Sequence, residues 1–410
     1  MKSISNSQII TFVSTTMRAL FSTIWNFDFA KADYKWVKPW VMLGVVFLFA
    51  FGWFDVTMDT GSALYHQLMQ RVAKGDNPFA TLITQDTFVQ LSYAVLFILG
   101  FYITVFSVWS YIASQREYSK EKFSRIFIAH LLSNAVAMLV TLIFFSLLGL
   151  IAWAMGFTFE EGKQLISQGY TRLSEWMKLY IPTITLLPYP VALLLGVLMG
   201  ALPGYFSHWL AHKSRFVWLM NHRCHHTAEI MHPAGVGAFM FLPELFSNIP
   251  TALLSAAITK LFYYEPLLFE TIFLAVFYVL TEKFNHSTVF YDIAYRFRPL
   301  RWLSAYYGNG VYHYMHHTAI PGDEIVNVGG SPFLVWDRVF GTYRTPTAQK
   351  PPVGLTNQPT IKLNPFAIVL SGWQQIAYEL WQNSSWRVRL KIIFGDIYYI
   401  PPVSKDFLKQ

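Results

Sequence analysis

Charge is the scarcest property of this 410-residue chain. Only 13% of its residues are Asp, Glu, Lys or Arg, about half the share usual in soluble domains. That argues against an ordinary soluble protein, and fractions of 54% apolar and 18% aromatic point to a membrane protein with Trp and Tyr at its interfaces. A single cysteine, Cys224, excludes an intramolecular disulfide framework. The net charge of +8 is scattered through loops, with no basic stripe and no nucleic-acid-binding module, so nucleic acid is not an expected partner. The first 36 residues lack a compact apolar core with a small-residue cleavage site, and no removable signal peptide is expected. No fold-scale repeat is visible.

What the chain has instead is uncharged length. The runs 91–113, 126–157 and 179–207 are each long enough to cross about 30 Å of hydrocarbon. A weaker run occupies 39–54, and two further apolar segments, 234–259 and 266–281, flank "KLFYYEP" as a hairpin would. The expectation is an all-α, multi-pass integral membrane protein with about four transmembrane helices plus a helical hairpin. The loop 114–125 carries Arg116, Lys120, Lys122 and Arg125, and 208–226 carries Lys213, Arg215 and Arg223. The intervening mixed loop holds Glu160, Glu161 and Glu175. Positive-inside counting puts both basic loops, and the histidines among them, on the cytoplasmic face. A Pro-rich turn then leads into "NPFAIVLSGWQQIAYELWQ", whose helical periodicity predicts a surface helix against the domain or the membrane.

Ten of the twelve histidines fall within 208–317. On a helix, residues three or four apart share a face. His208 and His212 are so spaced, as are His222 with His225 and His226, and His313 with His316 and His317. Each group then offers two or three imidazoles to one side, as a metal site needs. His286, ending the second hairpin segment, makes a ninth candidate. Nine ligands exceed one ion and suit two, shared roughly four and five. Imidazole favours Zn, Cu, Fe or Ni over Mg or Ca. His232 stands between ligand, support for a ligand and bystander. Glu282, four residues before His286, is a ligand or bridging charge, a hydrogen-bond partner of a ligand, or a helix-end carboxylate paired with Lys283. Asp337 either orients a ligand imidazole or pairs with Arg338 or Arg344. Two divalent ions among neutral imidazoles need counter-charge, from an oxo or hydroxo bridge or from nearby carboxylates, for which Glu229, Glu282, Asp323, Glu324 and Asp337 are the candidates within the motif region. His66 and His130 are expected to be non-ligands, and Cys224 a passenger.

The ordered set HxxxH at 208–212, "HRCHH" at 222–226, a lone His286 and "HYMHH" at 313–317 resembles the membrane-bound fatty acid hydroxylase and sterol desaturase superfamily. The segment after the last box, ending in "WDRVFGT" at 336–342, is similar too. Three departures stand out. Glu282 stands where some fatty acyl hydroxylases have a second His, four residues from the one matching His286. His232 takes a place where many members have Asn, and Leu242-Pro243 replaces the family's His-Pro. The resemblance implies three parts: a lead-in and two spans in 1–125, a hydroxylase/desaturase-like domain in 126–345, and a tail in 346–410. It also implies a cytosolic histidine-rich helical cap holding two iron ions above an apolar cavity.

The activity implied is O2-dependent oxidation of an aliphatic C–H bond in a lipid, hydroxylation before desaturation. With no GxGxxG after a strand and no haem-binding His-Pro-Gly-Gly, a separate redox partner must supply electrons. The related alkylglycerol monooxygenase uses tetrahydrobiopterin, which leaves a pterin-dependent ether-lipid monooxygenase open. The rivals from other classes are a non-enzymatic metal or lipid transporter, expected to carry intramembrane charges, and a zinc hydrolase, expected to use fewer histidines and a carboxylate base.

Overall fold

The computed structural model describes residues 118–401 apart from 233–240, 283–285, 287, 308–309, 324, 330–331 and 357–360, together with isolated positions before 118. The expected spans at 39–54 and 91–113 lie outside the described residues. Among those described the chain is helical, with one isolated β-bridge between Thr318 and Val353.

Helix α1 (Lys120–Ala154) opens where Ser119 accepts the Lys122 N–H. It has two halves of different character. Phe123, Ile126, Ile128, Ala129, Val136 and Ala137 are buried against the rest of the fold, whereas from Met138 onward no residue is buried. The bare stretch Met138–Ala154 is about 26 Å long at 1.5 Å per residue, close to a hydrocarbon core, and α1 is long and apolar enough to cross a membrane.

The segment expected as a mixed loop is instead helix α2 (Phe159–Tyr180). The reason is local. Thr158 and Glu161 form a capping box that satisfies donors at the helix start (2.7 and 3.2 Å), and Met177 is buried with Ala256 and Leu268.

The next apolar run starts in the last two residues of α2, Leu179 and Tyr180, and turns helical again only at Tyr189. Pro182, Pro188 and Pro190 explain the delay, since proline lacks a donor and disfavours α geometry in the residue before it. The freed donors go sideways: Ile184 and Leu187 donate to the carbonyls of Leu261 (2.8 Å) and Phe262 (2.9 Å). Helices α3 (Tyr189–Gly200) and α4 (Leu202–Ala211) then run nearly continuously, and 189–211 is the second stretch able to cross a membrane.

The expected hairpin is present as α5 (Phe241–Phe262) and α6 (Leu268–Glu282). Helix α5 packs along α3 and α4 because Gly196, Gly200 and Gly204, one per turn, leave no side chains between the backbones. A Cβ on Gly200 would fall 1.9 Å from Ser255 Oγ and 2.5 Å from Ser255 Cα. Helices α7 (Thr288–Arg296), α8 (Arg298–Tyr307), α9 (Val311–His316) and α10 (Val335–Phe340) follow.

The C-terminal part contributes α11 (Pro365–Gln382) and α12 (Trp386–Phe394). Ile368 and Val369 of α11 pack on α1, and Ile376 packs on Trp218 and Leu219. Between them, Gly372 lies so close to Leu219 that a Cβ would sit 1.6 Å from its carbonyl oxygen. Glu379, fully buried, receives both Nη groups of Arg215 (2.6 and 2.7 Å) and the Gln375 amide (3.0 Å). Arg223 extends the network to Gln375 (2.8 Å) and Ser371 (2.9 Å). Two arginines of the histidine-rich segment are thereby clamped by one helix of the tail.

Candidate metal centre

The histidines come from four places. His208 projects from α4 and His212 caps its end. His222, His225 and His226 lie on an irregular helical stretch that passes from π geometry (Trp218–His222) into a 3₁₀ turn (Arg223–His226). His313 and His316 are on α9, with His317 at its cap, and His286 stands just beyond α6.

They converge as two groups. His208, His212, His222 and His316 form one, and His225, His286, His313 and His317 the other; within each, the ligating nitrogens all lie within 4.8 Å. Short Nε2–Nε2 contacts run through the first: His208 to His222 (3.1 Å), His212 to His222 (2.8 Å) and His212 to His316 (3.1 Å). In the second, His286 meets His225 (3.3 Å) and His313 (3.1 Å), and His317 meets His225 and His313 (both 3.0 Å). His226 sits at the seam, its Nε2 3.0 Å from that of His222 and its ring stacked on His317 at 4.2 Å.

Equal helical spacing within a box had suggested that each box faces one site. The structure divides the boxes. His222 and His225 go to different groups, and His316 parts from His313 and His317. The winding of 218–226 accounts for the first split, because π and 3₁₀ turns rotate successive side chains differently from α turns.

The donor set fits metal ions. His208 Nδ1 donates to the Val328 carbonyl (2.5 Å) and His316 Nδ1 to the Val326 carbonyl (2.9 Å). A carbonyl only accepts, so both rings carry their proton on Nδ1 and turn a bare Nε2 lone pair toward the group. Burial first, then the neighbouring imidazoles, hold the pKa values of His212, His222, His226, His316 and His317 well below the ordinary value. Neutral imidazoles with converging lone pairs are what a borderline cation such as iron or zinc accepts, at about 2.1 Å per bond. His212 also lines a narrow cleft with Trp218, His226, His316, Thr318 and Tyr398. Its Nδ1 is buried without a hydrogen-bond partner among the described residues.

The described carboxylates lie elsewhere. Asp337 is fully buried and touches neither Arg338 nor any imidazole. Its Oδ1 accepts from the Val328 N–H (2.6 Å) and the Thr342 hydroxyl (2.7 Å), and Oδ2 from the Gly329 N–H (2.9 Å). Burial pushes its pKa up, and these donors pull it back. Asp337 therefore acts on His208 at one remove, by fixing the loop whose Val328 carbonyl holds the ring. Asn327, at φ 47°, ties the same loop to Tyr312 and Arg344. Arg344 pairs with Asp323 (2.6 Å), and Glu229 with Lys122 (3.3 Å), on the surface. The side chains of Glu282 and Glu324 lie outside what is described.

His232 is in neither group. It stacks on His130 of α1, with His232 Nε2 2.9 Å from His130 Nδ1, beside Phe123 and Phe127. His130 Nε2 in turn lies 3.3 Å from the Thr227 hydroxyl, which donates to the Cys224 carbonyl (2.7 Å). With that hydroxyl proton used, His130 donates from Nε2 and accepts from His232 at Nδ1. Cys224 is buried, and burial pushes its thiol up to about 12.

Sequence reasoning missed the clamp on Arg215 and Arg223. A signal was present, because Gln375 and Glu379 fall on the apolar stripe of α11, where unpartnered polar residues are costly.

Neither a search of curated proteins nor one of solved structures gave a match. Residues 193–342, which contain both groups, His226 and Asp337, match the family model described as fatty acid hydroxylase. The histidine-bearing segment 193–342 is thus similar to the fatty acid hydroxylase family, consistent with the resemblance of its boxes to the hydroxylase and sterol desaturase superfamily.

Proposed function

We propose that this protein is a di-iron, O2-dependent membrane oxygenase that hydroxylates an aliphatic C–H bond of a lipid. The observation that carries the reading is the pair of four-histidine groups, sharing two boxes and lying within the family-matched segment. His208, His212, His222 and His316 hold one ion, with His226 at the seam as a fifth donor, and His225, His286, His313 and His317 hold the other. Two iron ions supply dioxygen activation and oxidation of an unactivated C–H bond. The chain's own residues fix the imidazole tautomers through the Val326 and Val328 carbonyls, keep the rings neutral by burial, and shield the groups from bulk water.

We place the histidines on the cytoplasmic face. Helix α1 and the α3–α4 pair run in opposite directions, so both bring their histidine-proximal ends to one side. The α5–α6 hairpin lies alongside α3, with its tip beside residues 184–189. It reaches the same depth as that span and returns His286 to the cytoplasmic side. With the two apolar runs before residue 118, this gives about four spans plus the hairpin. Electrons come from a separate redox protein.

The test is metal content and turnover of the purified chain. Two irons per chain, with O2 consumed in step with a hydroxylated lipid, support the reading. His222→Ala, His225→Ala, His313→Ala and His317→Ala should each abolish turnover and lower bound iron while the protein still inserts. An olefinic product would move the assignment to a desaturase. Zinc with no O2 uptake would overturn it.

A further inference from the structure

Helix α12 has an unusual exterior. Ile392 is buried and Val388, four residues before it, is half-buried, which defines its inner face. The opposite face carries Trp386, Leu390 and Phe394, each four residues from the last, exposed by 65%, 44% and 76%. Three large apolar side chains in line on an outer face call for a covering. Arg387 and Lys391 flank the stripe on one side and Arg389 on the other, all exposed. Among the described residues none of these three cations is in an ion pair, and no acidic residue occurs between Glu379 and Asp396.

The position of α12 is fixed by the clamp. The Arg215 N–H donates to the carbonyl of Gly395, directly after α12 (3.0 Å), and Arg215 Nε to that of Tyr399 (2.6 Å). Arg215 is four residues past Ala211, where the second apolar stretch ends. Lys213 and Ser214 both fold back on the Leu210 carbonyl (3.0 and 2.7 Å), so those four residues stay coiled. The end of α12 is therefore held at the level where that stretch leaves the hydrocarbon. An apolar stripe flanked by unpaired cations at that depth has the form of a helix lying in a membrane surface.

We propose that α12 lies in the interface of the bilayer that holds the protein, with Trp386, Leu390 and Phe394 among the acyl chains and Arg387, Arg389 and Lys391 on the headgroups of anionic phospholipids. This rests on the membrane reading of α1 and α3–α4. It assigns the occupant by chemistry, since cations on an unpaired flank favour an anionic lipid surface over a zwitterionic one.

The full-length protein is placed in nanodiscs of phosphatidylcholine containing phosphatidylglycerol, with a fluorophore on Leu390→Cys or, as a control, on Leu147→Cys of the bare half of α1. Cys224, buried with a raised pKa, stays unlabelled. Quenching is measured with nitroxide-bearing phosphatidylglycerol, nitroxide-bearing phosphatidylcholine and aqueous iodide. The Leu390 probe should be quenched by the lipid nitroxides and prefer phosphatidylglycerol several-fold, an engaged cation being worth about fivefold. Replacing Arg387, Arg389 and Lys391 by Gln should erase the preference while leaving contact with lipid. Quenching at Leu390 by iodide alone would overturn the proposal, as would protection from every quencher, which would mean a protein partner or second copy covers the face. A Leu147 probe untouched by lipid nitroxide would instead refute the membrane reading itself.

Discussion

Replacing Asp337 by Asn should loosen one metal group and spare the other. The carboxylate is buried and serves three donors, two on Oδ1 and one on Oδ2. In the amide, the oxygen can keep Val328 N–H and the Thr342 hydroxyl, but the new NH2 then faces the Gly329 N–H, donor against donor. An unsatisfied buried donor costs about 1–3 kcal/mol, and loss of charge assistance adds to it. We expect about 2–4 kcal/mol in all, borne by the loop Val326–Gly329. That loop supplies the carbonyls that hold His208 and His316, both in the first group and neither in the second. Loss of such support lowers metal affinity about 10- to 100-fold. Anaerobic Fe²⁺ or Co²⁺ titration against a chelator should show one binding step weakened by that factor and the other unchanged, alongside a lower melting temperature of the metal-free protein. Asp323→Asn, which touches only a surface pair, should change neither by more than about 1 kcal/mol. Wild-type affinities at both steps in Asp337→Asn, or equal loss at both, would refute the chain of support from Asp337 to His208.

Other consequences follow from packing and charge. Gly200→Val should destabilise the protein by several kcal/mol or block its folding, because the side chain meets Ser255 backbone, whereas Gly149→Ala, with open space around it, should be neutral or gain up to about 1 kcal/mol of helix propensity; detergent melts compare them. Glu379→Gln should cost about 3–5 kcal/mol by leaving Arg215 buried with a neutral partner, and replacing Arg215 and Glu379 together by Met and Leu should cost markedly less. His232, whose pKa is held well below its ordinary value by burial first and by nearby His130 second, takes up a proton on unfolding below about pH 6.5. Stability should therefore fall as pH drops through that value, by up to about 1.4 kcal/mol per unit from this residue. His232→Asn, which keeps a donor for His130, should flatten that slope.

The parts of the fold legible in the sequence were those written as pattern. Uncharged length foretold α1 and the α5–α6 hairpin, and box spacing marked seven of the eight histidines of the two groups, His286 being the lone one outside a box. What escaped was set by geometry without periodicity. The three prolines that delay α3 looked like part of a span because hydropathy ignores the missing donors. The capping box that makes α2 a helix was hidden among charges that suggested a loop. The division of His222 from His225 depends on a π-to-3₁₀ transition, for which a run of five residues carries no mark. For Asp337 the sequence left imidazole support and pairing with Arg338 or Arg344 equally open, and its bond to the loop of the Val328 carbonyl was not legible, because backbone acceptors have no letter in the sequence.

The clamp on Arg215 bears on where this protein can be cut. The family-matched segment ends at Thr342, yet its own arginine at 215 finds its counter-charge at 379, and its irregular turn at Leu219 is roofed by Gly372. A fragment stopping after Thr342 would strand a guanidinium in an apolar pocket and uncover Trp218 and Leu219. Sequence similarity therefore outlines a smaller object than the one that folds: the minimal stable unit extends through α12, and a fusion partner or tag belongs after residue 401 rather than in the gap behind the last histidine box.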